Sequence, residues 1–256
     1  MAILECQKVS KAYGGLLAVS DLSFAVEPGE VYAIVGPNGA GKTSLFDCIS
    51  GINPATSGSI KFRDQEISGL RPHDVCRRGL ARTFQTTVAF DSQTVLTNVL
   101  VGSTFGRVGQ DPFMSFKPAA IDAAMEALAL CGLAGQQRAL AGSLPVLAKK
   151  RLMLATALAT KPELLLLDEP FGGLNPGERA QMIDLIRVVA KTGVTILMIE
   201  HVMKAVQALA NRILVIHHGQ QIAEGPPSKV LRDRRVIEVY LGTLRPAGPD
   251  PESANA

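Results

Sequence analysis

Eight consecutive residues, Gly36-Pro37-Asn38-Gly39-Ala40-Gly41-Lys42-Thr43, have the composition and spacing of a polyphosphate cradle. The glycines let backbone N–H groups turn inward around an anionic triphosphate, Lys42 adds a mobile positive charge, and the Thr43 hydroxyl can ligate Mg²⁺. Pro37, Asn38, Ala40 and Ser44 belong to the same cradle. Far downstream, Asp168 and Glu169 follow an apolar run, so that Asp168 is expected to hold Mg²⁺ through water and Glu169 to polarise an attacking water. His201, just after another apolar run, can hydrogen-bond the γ-phosphate or that water. Gln85 is a neutral side chain able to touch both the metal and the water. Tyr13, ahead of Gly14-Gly15, offers a ring on which an adenine can stack. The chemistry these residues suit is Mg²⁺-dependent ATP hydrolysis, with Lys42, Gln85, Glu169 and His201 as its working side chains.

Such groups need a frame, and the flanking patterns predict one. Val31-Tyr32-Ala33-Ile34-Val35 precedes the glycine run as an apolar strand, and Ser44 to Ser50 follows it as a helix. Leu164 to Leu167, bounded by Pro162 and Pro170, reads as a buried parallel strand. Asn175-Pro176 is an N-cap followed by a first-turn proline, with apolar residues at helical spacing up to Gly193. Val194 to Ile199 is a further buried strand. Helix and strand in alternation predict right-handed crossovers and a parallel sheet covered on both faces. Residues 1 to about 30 read as short antiparallel β segments, with another β pair through Ile60-Lys61-Phe62 and a helix over Arg71 to Gly79. From Thr87 to Thr160 the β signals fade, and Pro118 to Cys131 has alanine-rich helical spacing with Gly132 just beyond. An inserted helical segment is expected there. The sequence contains no internal repeat.

Bulk properties exclude several classes. No stretch of the 256 residues reaches the run of about eighteen apolar residues that spans a bilayer, although 47% of them are hydrophobic. The N-terminus lacks the pattern of a signal peptide, so a cytoplasmic location is expected. The four cysteines have neither paired nor metal-ligand spacing. A dispersed net charge of +3 gives no reason to expect nucleic acid as a partner. Pro246 to Ala256 reads as a flexible tail beyond a domain of residues 1–245.

In order along the chain, Tyr13, Gly36–Thr43, Gln85, Leu164–Glu169, Gly173-Leu174-Asn175-Pro176 and Glu200-His201 resemble the ATP-binding subunit of ABC transporters. Arg82-Thr83-Phe84-Gln85, Phe171–Pro176, Glu200-His201-Val202-Met203 and Val239-Tyr240-Leu241-Gly242 are similar to its branched-chain amino acid importer branch. This resemblance implies an α/β fold: a RecA-like P-loop ATPase core, an N-terminal antiparallel β subdomain and an inserted helical subdomain near residues 88–158. It also implies a head-to-tail ATPase dimer at the inner face of the cell membrane. Its partners would be transmembrane permease subunits and, indirectly, a solute-binding protein. Gln85 and the segment after it would sense the γ-phosphate and touch the membrane subunits. Soluble ABC-type regulators usually have tandem ATPase halves or a long coiled-coil arm. Here neither occurs, and the Asn-Lys-Xaa-Asp guanine-reading motif of GTPases is missing as well.

One motif departs from the family's pattern. Its Leu-Ser-Xaa-Gly-Gln segment, which reaches the γ-phosphate held by the other subunit, corresponds here to Leu144-Pro145-Val146-Leu147-Ala148. Serine becomes Pro145, without hydroxyl or N–H, and glycine becomes Leu147, which crowds a close approach. Using Ser143 instead would require a register shift. The site on this chain's own loop is therefore expected to work when a partner supplies a normal signature, and the opposite site to be weak. A heterodimer with a related ATPase is expected over a homodimer. The amides at the helix N-terminus remain an alternative anion site.

Overall fold

The computed structural model describes residues 1–106 and 117–241. The segment Pro246–Ala256, expected to be a flexible tail, and Gly242 lie outside the described residues. Strands β1 (Leu4–Tyr13) and β2 (Leu16–Val26) form a hairpin, followed by β3 (Val31–Val35), α1 (Lys42–Ile49), β4 (Ser57–Phe62), β5 (Gln65–Glu66), α2 (Pro72–Arg77) and β6 (Leu80–Arg82). Next come three helices, α3 (Val95–Phe105), α4 (Pro118–Leu130) and α5 (Val146–Leu158). The chain then runs through β7 (Leu164–Asp168), α6 (Pro176–Lys191), β8 (Thr195–Ile199), α7 (Met203–Leu209), β9 (Arg212–His217) and β10 (Gln220–Gly225). It closes with α8 (Pro227–Val230) and α9 (Arg234–Leu241).

A six-stranded sheet, in the order β10-β9-β3-β8-β7-β6, is parallel except at its β10 edge. Every residue of β3, β7 and β8 is buried, as expected of parallel strands covered on both faces. Successive side chains sort cleanly between two cores. Val31, Ala33, Val35, Leu165, Leu167, Ile196 and Met198 face one core with α3, α5, α6 and α7. Tyr32, Ile34, Leu164, Leu166, Leu197 and Ile199 face the other, with α1 and the second sheet, β2-β1-β4-β5. The period of two in a strand thus divides one sheet between two hydrophobic cores.

The lead-in contains two long strands where the spacing suggested several short ones. Their pairing shifts register between Cys6 and Val9, between Val9 and Lys11 and between Lys11 and Ala12, and Lys8 and Asp21 adopt left-handed φ of 48°. Bulges of this kind break the alternation of apolar and polar residues without ending the strand. The reading of α6 needs no such correction. The Asn175 side chain accepts from the Glu178 N–H at 2.9 Å, Glu178 accepts from the Asn175 N–H at 2.9 Å, and Pro176 opens the helix. Helices α3 and α5 cross at Gly102, where any side chain would meet the Thr156 backbone. Among the described residues no helix is long and apolar enough to cross a membrane.

Candidate functional site

Strand register sets the site. Ile199 pairs with Ile34 on one side and with Asp168 on the other, so β3, β8 and β7 end level with one another. The residues that follow, Gly36 onward, Glu169 and His201, therefore emerge along one carboxyl edge, where open α/β sheets bind ligands. The glycine loop leaves β3 and enters α1 through Gly39 and Gly41, both at positive φ. Gly39 would meet nothing within 4 Å if it bore a side chain, whereas Gly41 would strike the Ala18 carbonyl at 2.1 Å. One glycine keeps the loop open and the other lets it lie against β2.

A cavity of about 490 Å³ sits over this loop. Asn38, Gly39, Ala40, Gly41, Lys42, Thr43 and Ser44 line it together with Gln85, Glu169 and Tyr13. The Lys42 ammonium is buried and donates to the carbonyls of Gly36 and Pro37, each at 2.8 Å. Burial lowers the Lys42 pKa, and the charges of Glu169 and Asp168 pull it back up. Tyr13 stands exposed at the rim, with the Lys11 ammonium 4.9 Å from its ring centroid.

Glu169 is held at a left-handed φ of 47°, a strained setting for a side chain with a Cβ. Its carboxylate accepts from Gln85 Nε2 at 2.8 Å, and His201 Nδ1 lies 3.7 Å from its other oxygen. Gln85 and Glu169 thus line the cavity over the phosphate loop, and the half-exposed His201 stands beside Glu169 outside that lining. Asp168 is set back from them and only 3% exposed. Burial raises its pKa, opposed chiefly by a hydrogen bond from Arg82 Nη2 at 3.0 Å. Gly36 and Pro37 serve the site as the carbonyl seat of Lys42 rather than as cavity wall.

No group of three or more His, Cys, Asp or Glu side chains able to cage a metal occurs among the described residues. Thr43 faces the cavity, and Asp168 uses Oδ2 toward Arg82. One hydroxyl, one amide and one carboxylate suit Mg²⁺, which keeps several waters and takes its remaining ligands from substrate phosphates.

Several residues around the site had no role assigned from the sequence. Arg82 was visible only as part of a motif. It donates to Asp47 (2.7 Å), Ser50 (2.9 Å) and Asp168, with its guanidinium over the rings of Phe46 and Phe84. It therefore ties α1 to the end of β7. Leu16, Leu17, Ala18 and His218 complete the cavity. His218 arrives through the β9–β10 turn, which presses Gly219 onto Ala18. The Gly219 that permits this approach was the available signal.

At the start of α5, Pro145 occupies the N-cap position with no side-chain cap. Val146 is 49% exposed and Leu147 half-buried. Ser143 is spent in a 3-10 turn, donating to the Leu140 carbonyl at 2.8 Å. Pro145 at the cap leaves no hydroxyl there.

The ABC transporter family profile matches residues 19–172, and that of branched-chain amino acid ATP-binding cassette transporters matches residues 220–243. High-affinity branched-chain amino acid transport ATP-binding protein LivG of Escherichia coli (strain K12) is 36% identical, over 94% of this chain and 98% of its own. BraF of Pseudomonas aeruginosa, of the same description, shows the same identity and coverage. Two solved structures, each 30% identical, cover 94% of this chain and 99% of their own. One is a nucleotide-free ATP-binding cassette from an ABC transporter, with TM-score 0.85. The other is the ADP conformation of the cassette MJ1267, with TM-score 0.86.

Proposed function

The chain belongs to the ATP-binding subunits of ABC transporters, as an ATP-hydrolysing motor with a RecA-like core, and on that premise we propose which residues do the work and with what partners. The observation that carries the assignment is the convergence of Gln85 and His201 on Glu169, which with Gln85 lines the cavity over the Lys42 loop. Lys42 exchanges two neutral carbonyl contacts for the β- and γ-phosphates, a stronger, charge-assisted pairing. Loop amides from Gly39 to Ser44 grip the same phosphates, and the Tyr13 ring stacks on adenine. Thr43, Gln85 and Asp168 would hold Mg²⁺, which supplies charge neutralisation across the phosphates when bound. Glu169 orients and deprotonates the water, and His201 donates to the γ-phosphate.

The cargo we propose is a branched-chain amino acid or a related small polar solute, by likeness to LivG and BraF. The chain would sit at the inner face of the membrane on permease subunits fed by a solute-binding protein, as the second ATPase of a heterodimer. Pro145 at the N-cap of α5 supports that pairing: it offers no hydroxyl to a γ-phosphate bound by the partner. Comparing ATP turnover of the chain alone with that of the chain plus a related ATPase bearing an intact signature tests this. Turnover per subunit should rise several-fold on mixing; equal rates per subunit would defeat the heterodimer.

A further inference from the structure

Glu200 is 0% exposed, the most deeply buried charged side chain among the described residues, and the chemistry above leaves it without a task. Its carboxylate is saturated with backbone donors from two different turns. Oε2 accepts from the N–H groups of His201 and Val202, each at 2.8 Å, and Oε1 accepts from that of Phe171 at 3.3 Å. Phe171 lies two residues after Glu169, so one buried side chain fastens the turn after β7 to the turn after β8. These three N–H groups compensate a carboxylate whose burial would otherwise be costly.

A second tie to the turn after β7 comes from α5. Lys150 lies one turn into α5, half-buried, and its Nζ donates to the Glu169 carbonyl at 3.4 Å. Burial depresses its pKa, with the charges of Glu200 and then Glu169 opposing that shift. The ammonium thus fastens α5 to the backbone of the Glu169 turn, the same turn whose Phe171 amide Glu200 holds.

We propose that Glu200 and Lys150 are a positioning pair that locks the Glu169 and His201 turns to each other and to the register of α5. Any displacement of α5 on dimer closure then moves both hydrolytic side chains together. Neither side chain lines the cavity over the glycine loop. Its loss misplaces the reacting groups without removing any nucleotide ligand, and small misplacements of this kind cost about tenfold to a hundredfold in rate. The inference rests on the hydrolytic role of Glu169 proposed above, while amide exchange reads the pair independently of that role.

The test uses the full chain with its partner ATPase and the variants Lys150→Met, Glu200→Gln and their combination. Lys150→Met keeps the aliphatic length, and a half-buried site tolerates the change should Glu200→Gln fail to fold. Each variant is measured for kcat, for equilibrium ATP affinity and for amide exchange in residues 169–172 and 200–203. Lys150→Met is expected to lower kcat about tenfold or more, to leave ATP affinity within about twofold, and to speed exchange in both turns. The double variant should be slowed by less than the product of the two single effects, because both ties act on the turn after β7. An unchanged kcat for Lys150→Met, affinity falling in step with kcat, or faster exchange in one turn alone would overturn the pairing.

Discussion

At the scale of single residues, the site is a set of groups already satisfied by one another. Lys42 rests on its own loop carbonyls, Glu169 on Gln85, and Asp168 on Arg82. Binding polyphosphate exchanges these partners rather than creating charge in an empty space. Arg82 is the residue whose removal this network tolerates least. Arg82→Met would leave Asp47 and Asp168 without their shared cation, and the expected loss is about 3–5 kcal/mol of stability, read from denaturant midpoints. A variant as stable as the parent would show that solvent replaces the guanidinium. The thiols give a pH dependence whose sign follows from burial. Burial pushes Cys48 up to about 11 and Cys131 up to about 12, from an ordinary 9.0. The unfolded chain ionises these thiols first, so the stability they contribute is complete below about pH 9 and is lost as pH climbs toward about 11–12. Denaturant midpoints should fall across that interval, and neither thiol should react with iodoacetamide in the native protein at about pH 8. Rapid labelling of Cys48 or Cys131 at that pH would contradict the burial.

At the scale of elements, the strands and caps that carry the chemistry were legible because local and tertiary demands coincide there. Asn175-Pro176 caps a helix for reasons contained in four residues. The fully apolar β7 announces a strand buried on both faces. Strand β10 carried no such signal, being a half-exposed edge of mixed composition, whereas β9 holds an apolar run, Ile213 to Ile216, that was not read as a strand. The same holds for Glu200, whose burial depends on three amides contributed by turns about thirty residues apart. Spacing alone does not reveal a side chain that faces inward from a strand end. The N-terminus of α5 is the element on which the proposed heterodimer rests. Restoring a hydroxyl and a glycine through Pro145→Ser with Leu147→Gly would equip this helix to bind a neighbour's γ-phosphate. The doubly substituted chain alone should hydrolyse ATP about tenfold to a hundredfold faster than the parent, the scale of one or two transition-state hydrogen bonds. No gain would place the limit elsewhere than in the signature.

For the molecule as a whole, one six-stranded sheet separates two cores with different neighbours. The face toward α1 and the antiparallel sheet anchors the nucleotide cradle, and the face toward α3 and α5 anchors the helices next to the cradle's hydrolytic turns. Lys150 spans the second of these junctions. On the proposal above, any motion of the helices relative to the sheet is tied through that contact to the placement of Glu169. That a cleavage centre stands over the Lys42 loop is the claim on which the rest depends. Its most direct test is the nucleotide retained by the Glu169→Gln chain after incubation with MgATP and its partner ATPase, analysed after gel filtration. The expected result is about one intact ATP per substituted site, with turnover at that site down by about a thousandfold. Recovery of ADP at the parental rate, or of no nucleotide at all, would contradict it.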